Sequence, residues 1–119
     1  MVLVDTSVWV DHLRHSADSL TSLLENGEVL CHPFIIGELA CGNLNNRREI
    51  LSLLQELPTA RMPEDHEVLH FIEQHKLHGQ GIGYIDISLL TSCRLSGAPL
   101  WTIDKKLNSA AKTLRLAHS

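Results

Sequence analysis

The sequence predicts an α/β fold: a short parallel sheet covered by helices on both faces, a three-layer α/β/α arrangement. Three observations carry the prediction. Brief aliphatic runs alternate with helical stretches along the whole chain, the pattern of βαβ units with right-handed crossovers. Two of those runs, "VLV" and "PLWTI", end directly on an aspartate. No linker, repeat or low-complexity segment divides the 119 residues, so one domain spanning 1–119 is expected.

The elements follow in order. "VLV" (2–4) is a buried strand of the parallel-sheet type. "TSVWVDHLRHS" carries Val8, Trp9, His12 and Leu13 at helical spacing, and "ADSLTSLLENG" (17–27) is a second helix closed by Gly27. "EVLCHP" (28–33) reads as a strand stopped by Pro33, and "FIIGELACGN" (34–43) as a buried helix. "NRREILSLLQEL" (46–57) is amphipathic and stops at Pro58. "PEDHEVLHFIEQHKLHG" (63–79) has Pro63 at a first-turn position, acids behind it and Gly79 past its end. The loop "GQGIG" (79–83) feeds the helix "YIDISLLTSCRLSG". "APLWTID" (98–104) is a strand ending on an acid, followed by the helix "KKLNSAAKTL" and a last strand, "LRLAH".

Composition narrows the function classes. Hydrophobic content of 44% with 20% charged residues is ordinary for a globular chain. Cys31, Cys41 and Cys93 form no C-x-x-C pair and read as small core residues of a reducing compartment. No basic stretch precedes an apolar one, and charges interrupt every apolar run, so neither a signal peptide nor a membrane span is expected and the cytoplasm is the default. A net charge of −4 attracts no nucleic acid by itself; such binding would need local basic patches or bound cations.

The acids at the strand ends carry the chemistry. Ligands of open α/β sheets bind beyond the carboxyl ends of the strands. Asp5 and Asp104 follow two strands directly, and Glu38 and Asp86 sit in helices that enter from the same edge. Four carboxylates in one cleft stay ionised together only if a cation neutralises them. Oxygen ligands alone select Mg²⁺ or Mn²⁺ over zinc, and such ions assist in-line displacement at a phosphodiester. Each acid also has an ordinary reading. Asp5 and Asp104 sit where helix N-caps belong, and Asp86 where a first-turn acid suits the helix dipole. Glu38, in an almost wholly apolar segment, is expected to need a partner.

The motifs "LVDTSVWVDHL", "IIGELACG", "GIGYIDISLL" and "LWTIDKKL" resemble, in order and spacing, the four acidic motifs of PIN-domain ribonucleases, in particular the VapC-type toxins of bacterial toxin–antitoxin pairs. The resemblance covers essentially the whole chain. It implies an Mg²⁺- or Mn²⁺-dependent endoribonuclease whose metal-binding acids are Asp5, Glu38, Asp86 and Asp104. It places Thr6, Ser7 and Thr102 where the family uses hydroxyls to hold water or phosphate. It further implies an RNA substrate, a cognate VapB-type antitoxin and a homodimer. No acid follows Asp104, where some relatives carry one.

Two readings compete. "HEVLH" (66–70) matches the zinc-peptidase pattern H-E-x-x-H with Glu67 as base. The extended pattern fails, because Glu73 and Lys76 stand where Gly and His belong. At 100° per residue, Val68, Leu69, Phe71 and Ile72 form a core stripe, with His66, His70 and Glu73 opposite it. The other reading is a non-catalytic PIN-like or receiver-like interaction module; a receiver would need an acid pair after the first strand and a mid-chain acceptor Asp, and both are missing. Among the basic residues, Lys105, Lys106, Arg47 and Arg48 are candidates for RNA phosphates, the two lysines best placed beside Asp104. Trp9 and Trp101 read as packing residues of the core or of a dimer face.

Overall fold

The computed structural model describes residues 1–16 and 18–119. Ala17, the first residue of the expected second helix, lies outside the described residues. The chain runs β1 (Val2–Val4), α1 (Thr6–His15), α2 (Asp18–Glu25), β2 (Val29–Leu30), α3 (Pro33–Ala40) and α4 (Arg47–Gln55). It continues with α5 (Asp65–His75), α6 (Tyr84–Ser96), β3 (Leu100–Trp101) and α7 (Lys105–Thr113). The sheet has the order β2-β1-β3, all parallel. Val2 and Leu3 of β1 face Val29 and Leu30 on one side, and Leu3 and Val4 face Leu100 and Trp101 on the other. Helices α1, α3 and α4 pack together, α5 packs on α6, and β3 lies against α6 and α7. This is the expected three-layer α/β/α arrangement.

The central strand explains the core. Val2, Leu3 and Val4 are buried on both faces, as parallel strands under two helix layers must be. They join Leu20, Ile35, Leu39, Leu89, Leu90, Leu100 and Leu107 in one continuous buried cluster. Trp9 is buried too, so it is a core residue rather than a free dimer face. Its indole Nε1 is the one buried side-chain polar atom without a hydrogen-bond partner among the described residues. Trp101 is half-buried and stacks obliquely on His118, with ring centroids 5.3 Å apart.

Several expected elements change shape. Pro33 does not stop β2 but opens α3 at its first position, with His32 as the N-cap. The strand therefore shrinks to Val29–Leu30, and Cys31 makes one further parallel bridge to Thr59. Helix α3 is not buried all round: Ile35 and Leu39 face the core, while Glu38 is exposed. Helix α5 starts at Asp65, so Pro63 lies before the cap, and Lys76 in the left-handed region ends it ahead of Gly79. The segment "LRLAH" is no strand; only Leu100 and Ala117 bridge, because a turn with Arg115 at φ 59 bends the chain first. Leu69 departs from the expected core stripe and is exposed, whereas Val68 and Phe71 are buried. Cys31 and Cys93 are buried thiols, Cys93 pushed up to about 12 by burial. Cys41 is exposed rather than a core residue.

Candidate active site

The carboxyl edge of the sheet is laced by hydroxyls onto Asp5. Its backbone ends β1, with its N–H donating to the Trp101 carbonyl at 2.9 Å. Its carbonyl then accepts the first bonds of α1, from the Val8 and Trp9 N–H groups. Its side chain makes no N-cap bond to α1, so the ordinary explanation for Asp5 fails. Instead Oδ2 accepts from Ser7 Oγ at 2.8 Å and from Thr102 Oγ1 at 2.7 Å. Both hydroxyls are themselves held: the Ile103 N–H donates to Ser7 Oγ at 3.2 Å, and the Asp104 N–H to Thr102 Oγ1 at 3.1 Å. The turn after β3 is thereby tied to the turn after β1. Asp5 is 7% exposed, and that degree of burial for a carboxylate is tolerable only with such partners.

The other acids repeat the arrangement. Glu38 Oε1 accepts from Thr6 Oγ1 at 2.8 Å, which joins α3 to the start of α1. Asp104 Oδ1 caps α7 by accepting from the Leu107 N–H at 2.9 Å. Asp86 Oδ2 accepts weakly from the Gly83 N–H at 3.4 Å. Each acid thus commits one oxygen to the fold. The second oxygen of each, Asp5 Oδ1, Glu38 Oε2, Asp86 Oδ1 and Asp104 Oδ2, takes no protein hydrogen bond among the described residues. Asp5 Oδ1 and Asp86 Oδ1 are not buried, and Glu38 and Asp104 are exposed residues.

Asp86 feels the other three acids. Burial raises the Asp86 carboxyl above the usual range; the Gly83 N–H opposes this, and the charges of Asp5, Asp104 and Glu38 add to the rise. The Asp86 carboxyl thus senses the charge of the other three acids. Among the described residues, no group of three or more His, Cys, Asp or Glu side chains stands ready as a closed metal cage. The donor chemistry nevertheless fits a hard cation, because Mg²⁺ keeps several waters and is held through one or two carboxylates. Free carboxylate oxygens suit that mode.

The PIN-domain family profile matches residues 2–113 of the chain. The chain belongs to the PIN-domain family. Ribonuclease VapC32 of Mycobacterium tuberculosis, in strains CDC 1551 / Oshkosh and H37Rv, is 44% identical to it over 111 residues, covering 92% of this chain and 90% of the relative. Two crystal structures share the fold. FitAcB from Neisseria gonorrhoeae superposes with a TM-score of 0.65 at 20% identity, covering 94% of each chain. PAE2754 from Pyrobaculum aerophilum gives 0.62 at 20% identity, covering 97% of this chain and 88% of the other.

Within this PIN domain the remaining sequence candidates separate. Thr6, Ser7 and Thr102 all bond the acids, as above. Arg47 is not free for a phosphate: its Nε and Nη2 both donate to the Ala40 carbonyl, at 3.1 and 2.8 Å, and so cap the end of α3. Arg48, Lys105 and Lys106 are exposed. On α5, His66 and His70 line a cleft of about 230 Å³ against α6. Glu67 there is spent on its own helix, its Oε1 accepting from the Glu64 N–H at 2.9 Å, so it is not placed as a zinc-peptidase base. Sequence reading missed His32. It is fully buried, its Nδ1 accepts from the Phe34 N–H at 3.1 Å, and its Nε2 lies 2.9 Å from Ser92 Oγ. A histidine followed by proline before a helix was the available signal.

Proposed function

We propose that this PIN domain is the ribonuclease toxin of a VapBC-type pair, acting in the cytoplasm as an Mg²⁺- or Mn²⁺-dependent endoribonuclease at Asp5, Glu38, Asp86 and Asp104. One observation carries the site: each of the four acids ties one oxygen into the fold and leaves the other free. The name and 44% identity of the mycobacterial relatives support the activity and the VapB-type antitoxin partner. A divalent cation bound there supplies charge neutralisation and an activated water at the phosphodiester. Asp5, fixed by Ser7 and Thr102, presents Oδ1 with little freedom left to lose. Glu38 is steadied by Thr6, and Asp104 by the helix it caps. Of the four basic candidates, Lys105, Lys106 and Arg48 make no hydrogen bond or ion pair among the described residues and are available for RNA phosphates; Arg47 is withdrawn from that role by its bonds to Ala40.

An apolar groove of about 500 Å³ between α1, α2 and α4, lined by Trp9, Leu13, Leu24, Leu53 and Leu57, supports a protein partner. Leu13 and Leu53 are exposed there.

The test is cleavage of total RNA by the purified protein with Mn²⁺ or Mg²⁺, with and without chelator. Asp5→Asn and Asp86→Asn are expected to abolish cutting and growth arrest, and His66→Ala to keep both. Full cleavage by both aspartate variants at saturating metal would refute the site.

A further inference from the structure

Lys106 lies across Gly81. A Cβ on Gly81 would stand 2.8 Å from Lys106 Nζ and 2.9 Å from its Cδ, so any other residue at 81 would displace the end of the lysine side chain from this seat. Gly81 has φ +79 and Gly79 has φ +70, yet nothing lies within 4 Å of a Cβ on Gly79. The two glycines share a backbone conformation, and only Gly81 has a side chain lying across it.

Beside this contact a cleft of about 250 Å³ opens between the 79–83 loop and α7, lined by Gln80, Lys105, Lys106, Ser109 and Thr113. Positions 106, 109 and 113 recur at helical spacing, so the cleft follows one stripe of α7 away from its first turn. Neither ammonium makes a hydrogen bond or ion pair among the described residues. The Ser109 hydroxyl is likewise unpaired, Thr113 bonding only the Ser109 carbonyl. The two walls belong to the elements that carry the acids: the loop leads into α6 at Asp86, and α7 begins after Asp104.

We propose that this cleft is a backbone-phosphate subsite for single-stranded RNA beside the acidic edge, with Lys106 held over it by Gly81. A chain of net charge −4 with four acids at its site repels a polyanion, so productive approach needs cations at a fixed place nearby. Lysine serves as a compact point charge for phosphate. Its long stem ordinarily loses much rotamer freedom on binding, and seating on Gly81 removes part of that loss beforehand. The proposal rests on the nuclease reading above for its place beside the acids.

The experiment titrates a short fluorescein-labelled single-stranded RNA of mixed sequence against wild type, Lys106→Ala, Gly81→Ala, Gly79→Ala and the Lys106→Ala/Gly81→Ala pair, without divalent metal, at two salt concentrations. Cleavage of total RNA with Mn²⁺ runs in parallel. Lys106 is exposed, so its alanine variant leaves the core intact. Lys106→Ala should weaken binding and lower the salt slope by about 0.7, the loss of one phosphate contact to a single strand. The affinity gap to wild type then narrows about 2.5-fold for a fourfold rise in salt. Gly81→Ala should weaken binding similarly, Gly79→Ala should not, and the double variant should be no worse than Lys106→Ala alone. Wild-type affinity and slope in Lys106→Ala would overturn the proposal, as would equal damage from Gly79→Ala and Gly81→Ala. If the wild type cuts no RNA, the nuclease reading fails, while the titration still judges the cleft by itself.

Discussion

Acidification is expected to destabilise the protein through His32. The ring is fully buried at the start of α3. Its Nδ1 accepts the Phe34 N–H, so the proton sits on Nε2 and is donated to Ser92 Oγ. Only the neutral ring satisfies both bonds; a second proton would point at the Phe34 N–H. Burial accordingly lowers its pKa from 6.5 to about 4. The sign follows from linkage: the unfolded chain takes up the proton below pH 6.5 and the folded chain resists it. Stability is therefore complete above pH 6.5 and is lost progressively as the pH falls toward 4. The full gap corresponds to about 3 kcal/mol, and at pH 5 to about 2 kcal/mol, a large part of the roughly 5–15 kcal/mol typical of a domain. Denaturant unfolding of wild type and His32→Asn at pH 7 and pH 5 isolates this effect. The asparagine keeps an N-cap acceptor but cannot titrate, and every other histidine and carboxylate changes alike in both proteins. Wild type should lose about 2 kcal/mol more than the variant over that interval. Equal losses would refute the assignment of a neutral anchor at His32. The consequence reaches the site, because α3 carries Glu38.

Three further outcomes are expected. Mg²⁺ or Mn²⁺ at a hundredfold excess over Kd should stabilise by roughly 2.7 kcal/mol, a rise of order 10 °C in Tm, and Asp86→Asn should respond less; a shift with Zn²⁺ alone, equal in the variant, would point to the histidines of α5 instead. Thr102→Val removes the hydroxyl that holds Asp5 and leaves the Asp104 N–H without its acceptor; cleavage should fall by about 10–100-fold, as for other groups that orient a metal ligand, and unchanged activity would show that the hydroxyl is idle. Light scattering of the chain without antitoxin should report the mass of a dimer, for which two-fold symmetry is the commonest closed form, and monomer alone at tens of micromolar would contradict it.

What the sequence revealed and what it concealed divide by range. The strand-end acids were legible because a carboxylate following an aliphatic run is a local signal, and Asp5 and Asp104 stand at that edge. Their partners were not legible: Thr102 and Asp5 are 97 residues apart, and Thr6 and Glu38 are 32 apart. Glu38 illustrates the cost. Its apolar neighbours suggested burial, yet α3 turns that face outward and Thr6 of α1 meets the glutamate with its hydroxyl. Arg47 looked free because its acceptor, the Ala40 carbonyl, is a backbone group with no signature in the sequence. Pro33 is a start and not a stop, and the sequence does not distinguish the two, since proline ends a strand and opens a helix equally well.

The double duty of the acids gives a last test, at Asp104. One of its oxygens caps α7 through the Leu107 N–H, and the other is free at the site. Asparagine caps a helix about as well as aspartate, whereas alanine in place of either costs about 1 kcal/mol. Asp104→Asn should therefore retain the wild-type denaturation midpoint, and Asp104→Ala should fall below it by that amount. Both lose the charge offered to a cation, so both should lose cleavage and the metal-induced rise in Tm. A purely structural aspartate predicts the opposite pairing, with full activity in the asparagine variant because its cap survives. Measuring stability and cleavage on the same two proteins thus separates the oxygen that holds the helix from the oxygen that serves the site.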